Sequence, residues 1–218
     1  MRLVYWLLDL LFPPKCVFCR RLLKDRETDI CGKCRSSLPE TSGKIKSIRF
    51  LKECFSLYYY ESPVPESVRR YKFSGMQQYA AAYGRLMAME VLRKNIQFDL
   101  ITYVPVSSKR LRKRGYDQAE LLAKAIGKEL DAPVLRCLRK KRDNPAQSGL
   151  ADGSARKANV LGVYSGYQPE RFAEKKILLI DDVLTTGATV SECAATLLIA
   201  GASEVRCLTL AAAGKLYK

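Results

Sequence analysis

Two adjacent aspartates, Asp181 and Asp182, lie between an apolar run and a loop of small residues. The run, residues 177–180, has no polar break, which is typical of a strand buried on both faces of a sheet. The loop, residues 185–189, has the sequence TTGAT and leads into an expected helix at residues 190–199. Backbone N–H groups of such a loop, with the positive end of the helix dipole, can bind a phosphate group. The loop has no lysine and no GxxxxGK motif, which excludes a nucleoside-triphosphate P-loop.

The aspartate pair points to a sugar beside that phosphate. Carboxylates at the carboxyl end of a buried parallel strand lie in the crevice where open α/β sheets bind ligands. There Asp181 and Asp182 can hold ribose hydroxyls or orient a magnesium ion through water. The alternative is a structural strand–helix turn in which the acids and threonines serve as caps. The apolar run, the acids and TTGAT in one frame favour a ribose phosphate site.

A second candidate segment, residues 109–114, has five basic residues in six positions. It follows an apolar run at residues 100–106, and a helix is expected after it at residues 119–130. A basic loop at the carboxyl end of a parallel strand would face the same crevice as the aspartates. Because arginine can bind phosphate in a bidentate manner, the loop would hold a second phosphate group. The alternative is a solvated basic loop, which most runs of charge are.

Four cysteines, Cys16, Cys19, Cys31 and Cys34, form two CxxC pairs separated by eleven residues. This spacing suits a tetrahedral zinc site with four thiolate ligands. We expect Gly32 to form a turn that directs backbone N–H groups toward sulfur. Four protein ligands leave no open position, so the zinc would be structural. Disulfides or unconnected thiols are the alternative, which the spacing and a reducing cytosol disfavour.

The composition limits the class of protein further. The chain has 218 residues, a formal net charge of +16 and no histidine. Imidazole acid–base catalysis, Cys/His nucleophile pairs and His metal ligands are therefore excluded. The positive charge favours an anionic partner such as a phosphorylated ligand, nucleic acid or a membrane surface, although it also promotes solubility.

The apolar N-terminus, residues 1–12, is interrupted by Asp9 and followed by two prolines. It is too short to span a bilayer and lacks a signal-peptide cleavage site. We expect an amphipathic helix packed on its own domain, in a cytoplasmic protein without an integral membrane segment. Peripheral contact with the inner face of the membrane is the alternative.

The remaining segments continue an alternation of strands and helices. Strands are expected at residues 55–60 and 204–210, a helix at residues 79–92 and a linker at residues 39–48. Cys54 has no nearby cysteine in the sequence.

Two further segments are expected to border the crevice. A helix begins at Pro63 and Pro65 and divides its side chains between an apolar face and a basic face: Val68, Tyr71 and Phe73 against Arg69, Arg70 and Lys72. Residues 139–159 are polar and without periodicity, which predicts a mobile flap. Residues 160–167 are expected to form a hood strand and turn.

Taken together, these motifs resemble the ComF family of bacterial competence-related proteins, and in particular its ComFC type. The segments that carry the resemblance run along nearly the whole chain: LFPPKCVFC, RRYKF, VPV, RGYDQAELLA, NPAQSGL, RKAN and LLIDDVLTTGATV. The resemblance implies an α/β fold with a type I phosphoribosyltransferase-like open, mostly parallel sheet and helices on both faces. It also implies two domains, an N-terminal helix and zinc-ribbon module at residues 1–45 and a phosphoribosyltransferase-like domain at residues 46–218.

The resemblance further implies that 5-phosphoribosyl 1-pyrophosphate (PRPP) binds together with Mg2+. Asp181 and Asp182 would be the catalytic pair, holding the ribose and water-bridged Mg2+. The implied PRPP-binding residues form the 5-phosphate loop, the pyrophosphate loop and three single cationic contacts: Thr185, Thr186, Gly187, Ala188 and Thr189; Ser107, Ser108, Lys109 and Arg110; Lys72, Arg114 and Arg156.

One residue departs from the family pattern. The family usually has asparagine where this chain has Asp117, in RGYDQ. A carboxylate beside the pyrophosphate loop would repel phosphate unless Arg114 or Lys113 pairs with it. This makes a direct contact between Asp117 and the ligand unfavourable.

Two readings of the function stay open, and they can coexist. A phosphoribosyltransferase would hold the pyrophosphate while a nitrogen acceptor attacks the sugar. Tyr103 or Tyr116 could stack an acceptor base, although core packing explains both aromatics as well. The resemblance also implies DNA uptake in natural transformation, where a non-enzymatic protein would handle single-stranded DNA with its basic crevice, alongside other competence proteins. A nucleotide-salvage phosphoribosyltransferase unrelated to competence is a further alternative. Dimers are common among type I relatives, which leaves a homodimer open.

Overall fold

The computed structural model describes residues 13–24, 26–41, 45, 47–141 and 162–213. The predicted N-terminal helix, the C-terminal tail, most of the predicted flap and its Arg156 lie outside the described residues. In chain order the elements are α1 (Gly32–Ser37), β1 (Glu53–Tyr59), α2 (Val64–Phe73), α3 (Tyr79–Arg93), β2 (Leu100–Tyr103), α4 (Ser108–Arg114), α5 (Gln118–Leu130), β3 (Leu138–Lys140), β4 (Tyr164–Gly166), β5 (Lys176–Leu184), α6 (Ala188–Ile199) and β6 (Glu204–Ala212).

Four parallel strands form the main sheet in the order β1–β6–β5–β2. The apolar runs of β5 and β6 are buried because both strands lie inside the sheet and are covered on both faces. β5 extends past the predicted residues 177–180 to Leu184, so that Asp181 and Asp182 belong to the strand. β2 ends at Tyr103, earlier than predicted, because Pro105 has no N–H for the ladder.

Each face of the sheet has its own hydrophobic core. Leu178 and Ile180 pack with α2, α3, α5 and part of the zinc-ribbon module on one face. Ile177 and Leu179 pack with α6 and the β3–β4 hairpin on the other. This alternation follows from the two-residue period of a strand, and it places helices on both faces, as the predicted fold class requires. The predicted hood strand is present as β4, paired with β3.

The second core also contains Cys54, for which the sequence suggests no cysteine neighbour. In space, however, Cys54 lies opposite Cys207 in the β1–β6 register, and both are buried. The two positions are far apart in sequence, so only the strand pairing brings them together.

The zinc-ribbon module packs directly on the first core. The ring of Phe18 lies 5.4 Å from that of Tyr58 and 6.0 Å from that of Tyr83, measured between centroids. Nη2 of Arg70 donates to the carbonyls of Val17, at 3.1 Å, and Phe18, at 2.5 Å. The first CxxC loop is therefore fixed to α2 and α3.

The described part of the predicted linker is bonded to the sheet. Glu40 bridges Tyr58 in antiparallel fashion, and the N–H of Thr41 donates to the carbonyl of Leu57 at 2.9 Å. Residues 40 and 41 thus extend the edge at β1 and are not a free connection. The division of the chain at residues 45 and 46 stays a prediction.

Helix α2 turns a different set of residues toward the sheet than predicted. Val68 and Tyr71 are buried, as expected, but Phe73 is 65% exposed. Lys72, predicted to lie on the basic side away from Val68 and Tyr71, has a side chain only 20% exposed. The reason is helical spacing, because positions 68, 71 and 72 share one face and position 73 does not. Within the described residues, no helix has the length and apolar character needed to cross a bilayer.

Candidate functional site

Two cations, one on α2 and one at the end of the basic segment, lie near Asp182 at the carboxyl edge of the sheet. Nζ of Lys72 lies 2.8 Å from Oδ1 of Asp182. Arg114 is close enough to Asp182 that the carboxylate raises its pKa, although burial has the larger effect and lowers it. Asp181, Asp182, Lys72 and Arg114 are hereafter called the candidate site.

The two aspartates occupy opposite sides of β5. The strand continues through both residues, so their side chains alternate between its faces instead of sharing one crevice wall. Asp182 is 3% exposed. Burial and the nearby charge of Asp182 raise the pKa of Tyr71 on α2. Asp181 is half-buried. Burial raises the pKa of Tyr164 in the β3–β4 hairpin, and the nearby charge of Asp181 adds to this increase. The crevice is therefore bordered by α2 on one side and by the hairpin on the other.

One oxygen of Asp182 is left without a partner. Oδ1 faces Lys72, whereas Oδ2 is buried and accepts no hydrogen bond from the described residues. A buried carboxylate oxygen without a donor is costly, and native proteins rarely leave one unsatisfied. Oδ2 is thus an acceptor for a hydroxyl group or a cation supplied by a ligand.

Asp181 carries an electrostatic cost of its own. Burial and the neighbouring charge of Asp182 raise the pKa of Asp181, while Lys72 and the backbone N–H of Asp182 act against the shift. That N–H donates to Oδ1 of Asp181 at 2.8 Å. The two carboxylates lie on opposite sides of β5, so their hard oxygen atoms fit Mg2+ held through water and not one ion bound directly by both.

The TTGAT segment forms the turn between β5 and α6. Gly187 has φ +78°, and a Cβ there would lie 3.0 Å from Cδ1 of Ile48. Both the positive φ and the close approach of Ile48 therefore require glycine. α6 begins at Ala188, two residues before the predicted start, so Ala188 and Thr189 belong to its first turn. The N–H of Ala188 donates to Oγ1 of Thr186 at 3.4 Å.

The basic segment is a helix, not the predicted loop. α4 begins after Ser107, whose side chain accepts the N–H of Arg110 at 3.3 Å, and ends before Gly115 at φ +80°. Serine is a favoured N-cap and glycine a favoured C-terminal stop. Ser107 is buried by this role, whereas Ser108 and Lys109 are exposed. Arg110 is half-buried. Burial raises the pKa of Tyr164, and the positive charge of Arg110 acts against this increase.

Arg114, the last residue of α4, is held from two sides. Its Nη1 donates to Oε1 of Gln118 at 2.8 Å. Its guanidinium carbon lies 4.6 Å from the ring centroid of Phe73, a cation–π geometry. The guanidinium is therefore oriented before any ligand arrives.

Asp117 pairs with neither Arg114 nor Lys113 in the structure. Its Oδ1 accepts the N–H groups of Ala119 and Glu120, at 3.0 and 3.2 Å, and its Oδ2 accepts that of Val106 at 2.9 Å. It is the N-cap of α5. Burial raises the pKa of Asp117 and these N–H donors lower it. Because aspartate and asparagine are about equally good N-caps, the departure from the family sequence preserves the local structure.

Sequence reasoning did not identify several residues that border the candidate site. Gln118 and Phe73 orient Arg114. Tyr164 lies close to Asp181, and Glu192 accepts the N–H of Val163 at 2.8 Å while its second oxygen stays buried without a described partner. An aromatic directly after Lys72, in the basic run RRYKF, was a usable signal for Phe73. Neither Tyr164 nor Glu192 carries a local signal, since the hairpin and α6 meet only in the fold.

The four predicted zinc ligands come together. The sulfur atoms of Cys16, Cys19, Cys31 and Cys34 all lie within 4.8 Å of one another. Four thiolates at this separation fit a tetrahedral Zn2+ ion. As expected for the turn at Gly32, a backbone N–H, that of Cys34, bonds to the sulfur of Cys31, whereas the N–H of Gly32 itself donates to Oε1 of Glu27 at 2.6 Å. This carboxylate bonds the loop between the CxxC pairs to the start of α1.

Comparison with known families identifies both parts of the chain. Residues 7–45 match the model of the double zinc ribbon domain, and residues 116–218 match that of the phosphoribosyl transferase domain. The second match contains β5, the TTGAT turn and α6. The chain thus joins a zinc ribbon to a phosphoribosyltransferase domain.

Solved structures similar to the chain include two enzymes of phosphoribosyl chemistry. Glutamine PRPP amidotransferase from B. subtilis aligns with a TM-score of 0.42 and 21% identity over 61% of this chain and 26% of the enzyme. Adenine phosphoribosyltransferase from Thermoanaerobacter pseudethanolicus aligns with a TM-score of 0.40 and 14% identity over 69% of this chain and 84% of the enzyme. The chain therefore spans about a quarter of the amidotransferase.

Several curated relatives match most of the chain. Competence protein F of Haemophilus influenzae is 26% identical over 91% of this chain and 97% of its own. DNA utilization protein YhgH of Salmonella typhimurium is 30% identical over 88% of this chain and 87% of its own. Competence protein ComFC of Streptococcus pneumoniae is 32% identical over 71% of this chain and 66% of its own. With these relatives, the clustered cysteines and the phosphoribosyltransferase match, the chain belongs to the ComF family of competence and DNA utilization proteins.

Proposed function

We propose that this chain binds PRPP with Mg2+ at the candidate site and acts in the use of DNA taken up by the cell. The observation that carries the proposal is the unpartnered Oδ2 of Asp182 beside two oriented cations, Lys72 and Arg114. A ligand with hydroxyl groups next to a pyrophosphate satisfies the oxygen and meets the cations at once. The role in DNA use rests on the printed names of the relatives.

Each part of PRPP has a counterpart in the proposal. Asp181 and Asp182 would hold the ribose hydroxyls, and residues 185–189, at the N-terminus of α6, would hold the 5-phosphate. Lys72, Arg114 and the cations of α4, with Lys109 and Arg110 in its first turn, would bind the pyrophosphate. The two aspartates would hold Mg2+ through water, and the ion would supply positive charge against the pyrophosphate.

The site is also suited to transfer of the phosphoribosyl group to a nitrogen acceptor. In that reaction the bond from the sugar carbon to pyrophosphate breaks, and negative charge grows on the leaving group. Oriented cations stabilise this charge without reorganising, which is the main requirement for catalysis of this kind. No imidazole is needed, in agreement with a chain that contains no histidine.

Calorimetric titration with PRPP and Mg2+ tests the assignment. We expect binding heat that ribose 5-phosphate does not reproduce, and a loss of affinity of about 10-fold or more in Arg114→Ala, because a charge-assisted hydrogen bond is removed. Lys128→Ala, an exposed cation on α5, is the control and should bind as the wild type does. Equal heats for PRPP and ribose 5-phosphate would contradict the proposal.

Single-stranded DNA handling is a second candidate function, favoured by the surface of α4. Lys109, Arg112 and Lys113 are exposed and form no ion pair with another described residue. The exposed ring of Phe73 lies beside this surface, under Arg114. Cations next to an accessible aromatic ring are the arrangement used for tracking and stacking a single strand.

Retention of single-stranded DNA at increasing salt tests this second function. The double variant Lys113→Glu and Arg114→Glu should lose most of the retention at low salt, because fewer phosphates are neutralised. Lys124→Glu with Lys128→Glu makes the same change of charge on α5 and should retain DNA almost as the wild type does. Equal losses in both pairs would mean that only net charge matters.

A further inference from the structure

Two buried tyrosines connect the last turn of α2 to the start of α5. The hydroxyl of Tyr71 donates to the carbonyl of Gln118 at 2.8 Å, and the hydroxyl of Tyr116 donates to the carbonyl of Tyr71. Tyr71 is fully buried and Tyr116 nearly so. Their rings lie 6.1 Å apart. We call this reciprocal pair of hydrogen bonds the tyrosine clasp.

The clasp satisfies a backbone group that α2 cannot satisfy itself. The carbonyl of Tyr71 belongs to the last four residues of α2, whose carbonyls have no partner within the helix. Tyr116 supplies the donor from outside. The end of α2 is therefore fixed by a residue that lies between α4 and α5.

The residues that the clasp joins are direct neighbours or contacts of both cations in the candidate site. Lys72 directly follows Tyr71 and reaches Asp182. Gln118, whose carbonyl the clasp uses, accepts Arg114 with its side chain. Phe73, the next residue of α2, lies under the guanidinium of Arg114. The two hydrogen bonds of the clasp and the contacts of Arg114 with Gln118 and Phe73 thus tie the two cations to one frame.

We propose that Tyr71 and Tyr116 are positioning residues that hold Lys72 and Arg114 at a fixed separation beside Asp182. Neither tyrosine would touch the ligand; they act through the two cations. The inference deepens the proposed function, and its ligand arm rests on that function. The consequence for a pyrophosphate-bearing ligand is a pair of cations arranged before binding, which lowers the entropy lost when the complex forms.

A matched tyrosine that bonds to the same helix, α2, from α3 distinguishes positioning from general stability. The hydroxyl of Tyr83 on α3 bonds to Ser67 in the middle of α2, and Tyr83 is as deeply buried as Tyr71. Tyr83→Phe therefore also removes one buried hydroxyl contact of α2. It leaves the last turn of the helix, with Lys72, bonded as before.

The first experiment measures acylation of lysine by an N-hydroxysuccinimide ester, without ligand, with each site quantified by peptide mass spectrometry. Tyr116→Phe should raise the rate at Lys72 about fivefold, the factor that one lost hydrogen bond is worth in an equilibrium. Lys52, whose side chain is 61% exposed, serves as the internal reference and should not change. Tyr83→Phe should leave the rate at Lys72 unchanged.

Two outcomes of the labelling would overturn the proposal. One is an unchanged rate at Lys72 in folded, zinc-loaded Tyr116→Phe. The other is an equal rise in Tyr83→Phe, which would show a loss of stability only. If Tyr116→Phe does not fold, Tyr71→Phe removes the other bond of the clasp and carries the same expectation.

The second experiment repeats the PRPP and Mg2+ titration with the same variants. Tyr116→Phe should weaken binding about fivefold, while Tyr83→Phe binds as the wild type does. Because the labelling uses no ligand, the two proposals fail separately: a wild type that does not bind PRPP refutes the proposed function alone. If Tyr116→Phe binds PRPP as tightly as the wild type does, the positioning role is refuted.

Discussion

Asp181 shows how a single buried carboxyl group at the candidate site makes stability depend on pH. Burial and the charge of Asp182 raise the pKa of Asp181, so the folded protein without ligand holds a proton there more tightly than the unfolded chain does. Between the ordinary pKa of aspartate, about 4, and this raised value, only the folded state is protonated. Stability therefore falls as pH rises through that window and stays at its lower level above it.

Asp181→Asn removes this loss of stability at high pH, because asparagine does not ionise. It keeps a side-chain oxygen that accepts the N–H of Asp182. We expect a melting temperature raised by about 2–4 °C at pH 8, which corresponds to about 1 kcal/mol in a chain of this size, and no difference at pH 4. Thermal melts at both pH values check this. Asp99→Asn is the control, because Asp99 also accepts a backbone N–H, that of Lys176, but lies exposed at the opposite end of the sheet. A gain of the same size at pH 4 would contradict the explanation.

At the scale of elements, local patterns were sufficient where one interaction dominates. The apolar runs of β5 and β6 predict buried parallel strands because nothing polar interrupts them. α4 was mistaken for a loop because its charge was weighed above helix propensity, although lysine, arginine and leucine all favour helices and Ser107 and Gly115 mark its ends.

Contacts between distant elements could not be predicted from the sequence. Lys72 and Asp182 lie on α2 and β5, and only the order of the strands makes them neighbours. The same holds for Tyr164, which reaches the Asp181 side because the β3–β4 hairpin packs on α6. The motifs therefore located the candidate site, while the fold determined which cation meets which carboxylate.

At the scale of the whole molecule, the zinc-ribbon module supports the helix that carries Lys72. Arg70, two residues before Lys72, donates to carbonyls of the loop that contains Cys16 and Cys19. Ser67 of the same helix donates to the carbonyl of Val17. A change at the metal ligands should therefore propagate through α2 to the candidate site.

Cys16→Ser tests this connection between the zinc-ribbon module and α2. Cys16 is fully buried, and its loss should reduce the zinc content below one ion per chain and destabilise the protein by more than about 3 kcal/mol, as loss of a structural metal typically does. Metal analysis and denaturant unfolding measure both effects. Cys137→Ala is the control, because Cys137 is equally buried but lies in the other core, so zinc should be retained. A folded Cys16→Ser protein with one zinc per chain would contradict the site. Zinc loss with unchanged acylation of Lys72 would instead show that α2 holds its last turn without the ribbon, through the tyrosine clasp alone.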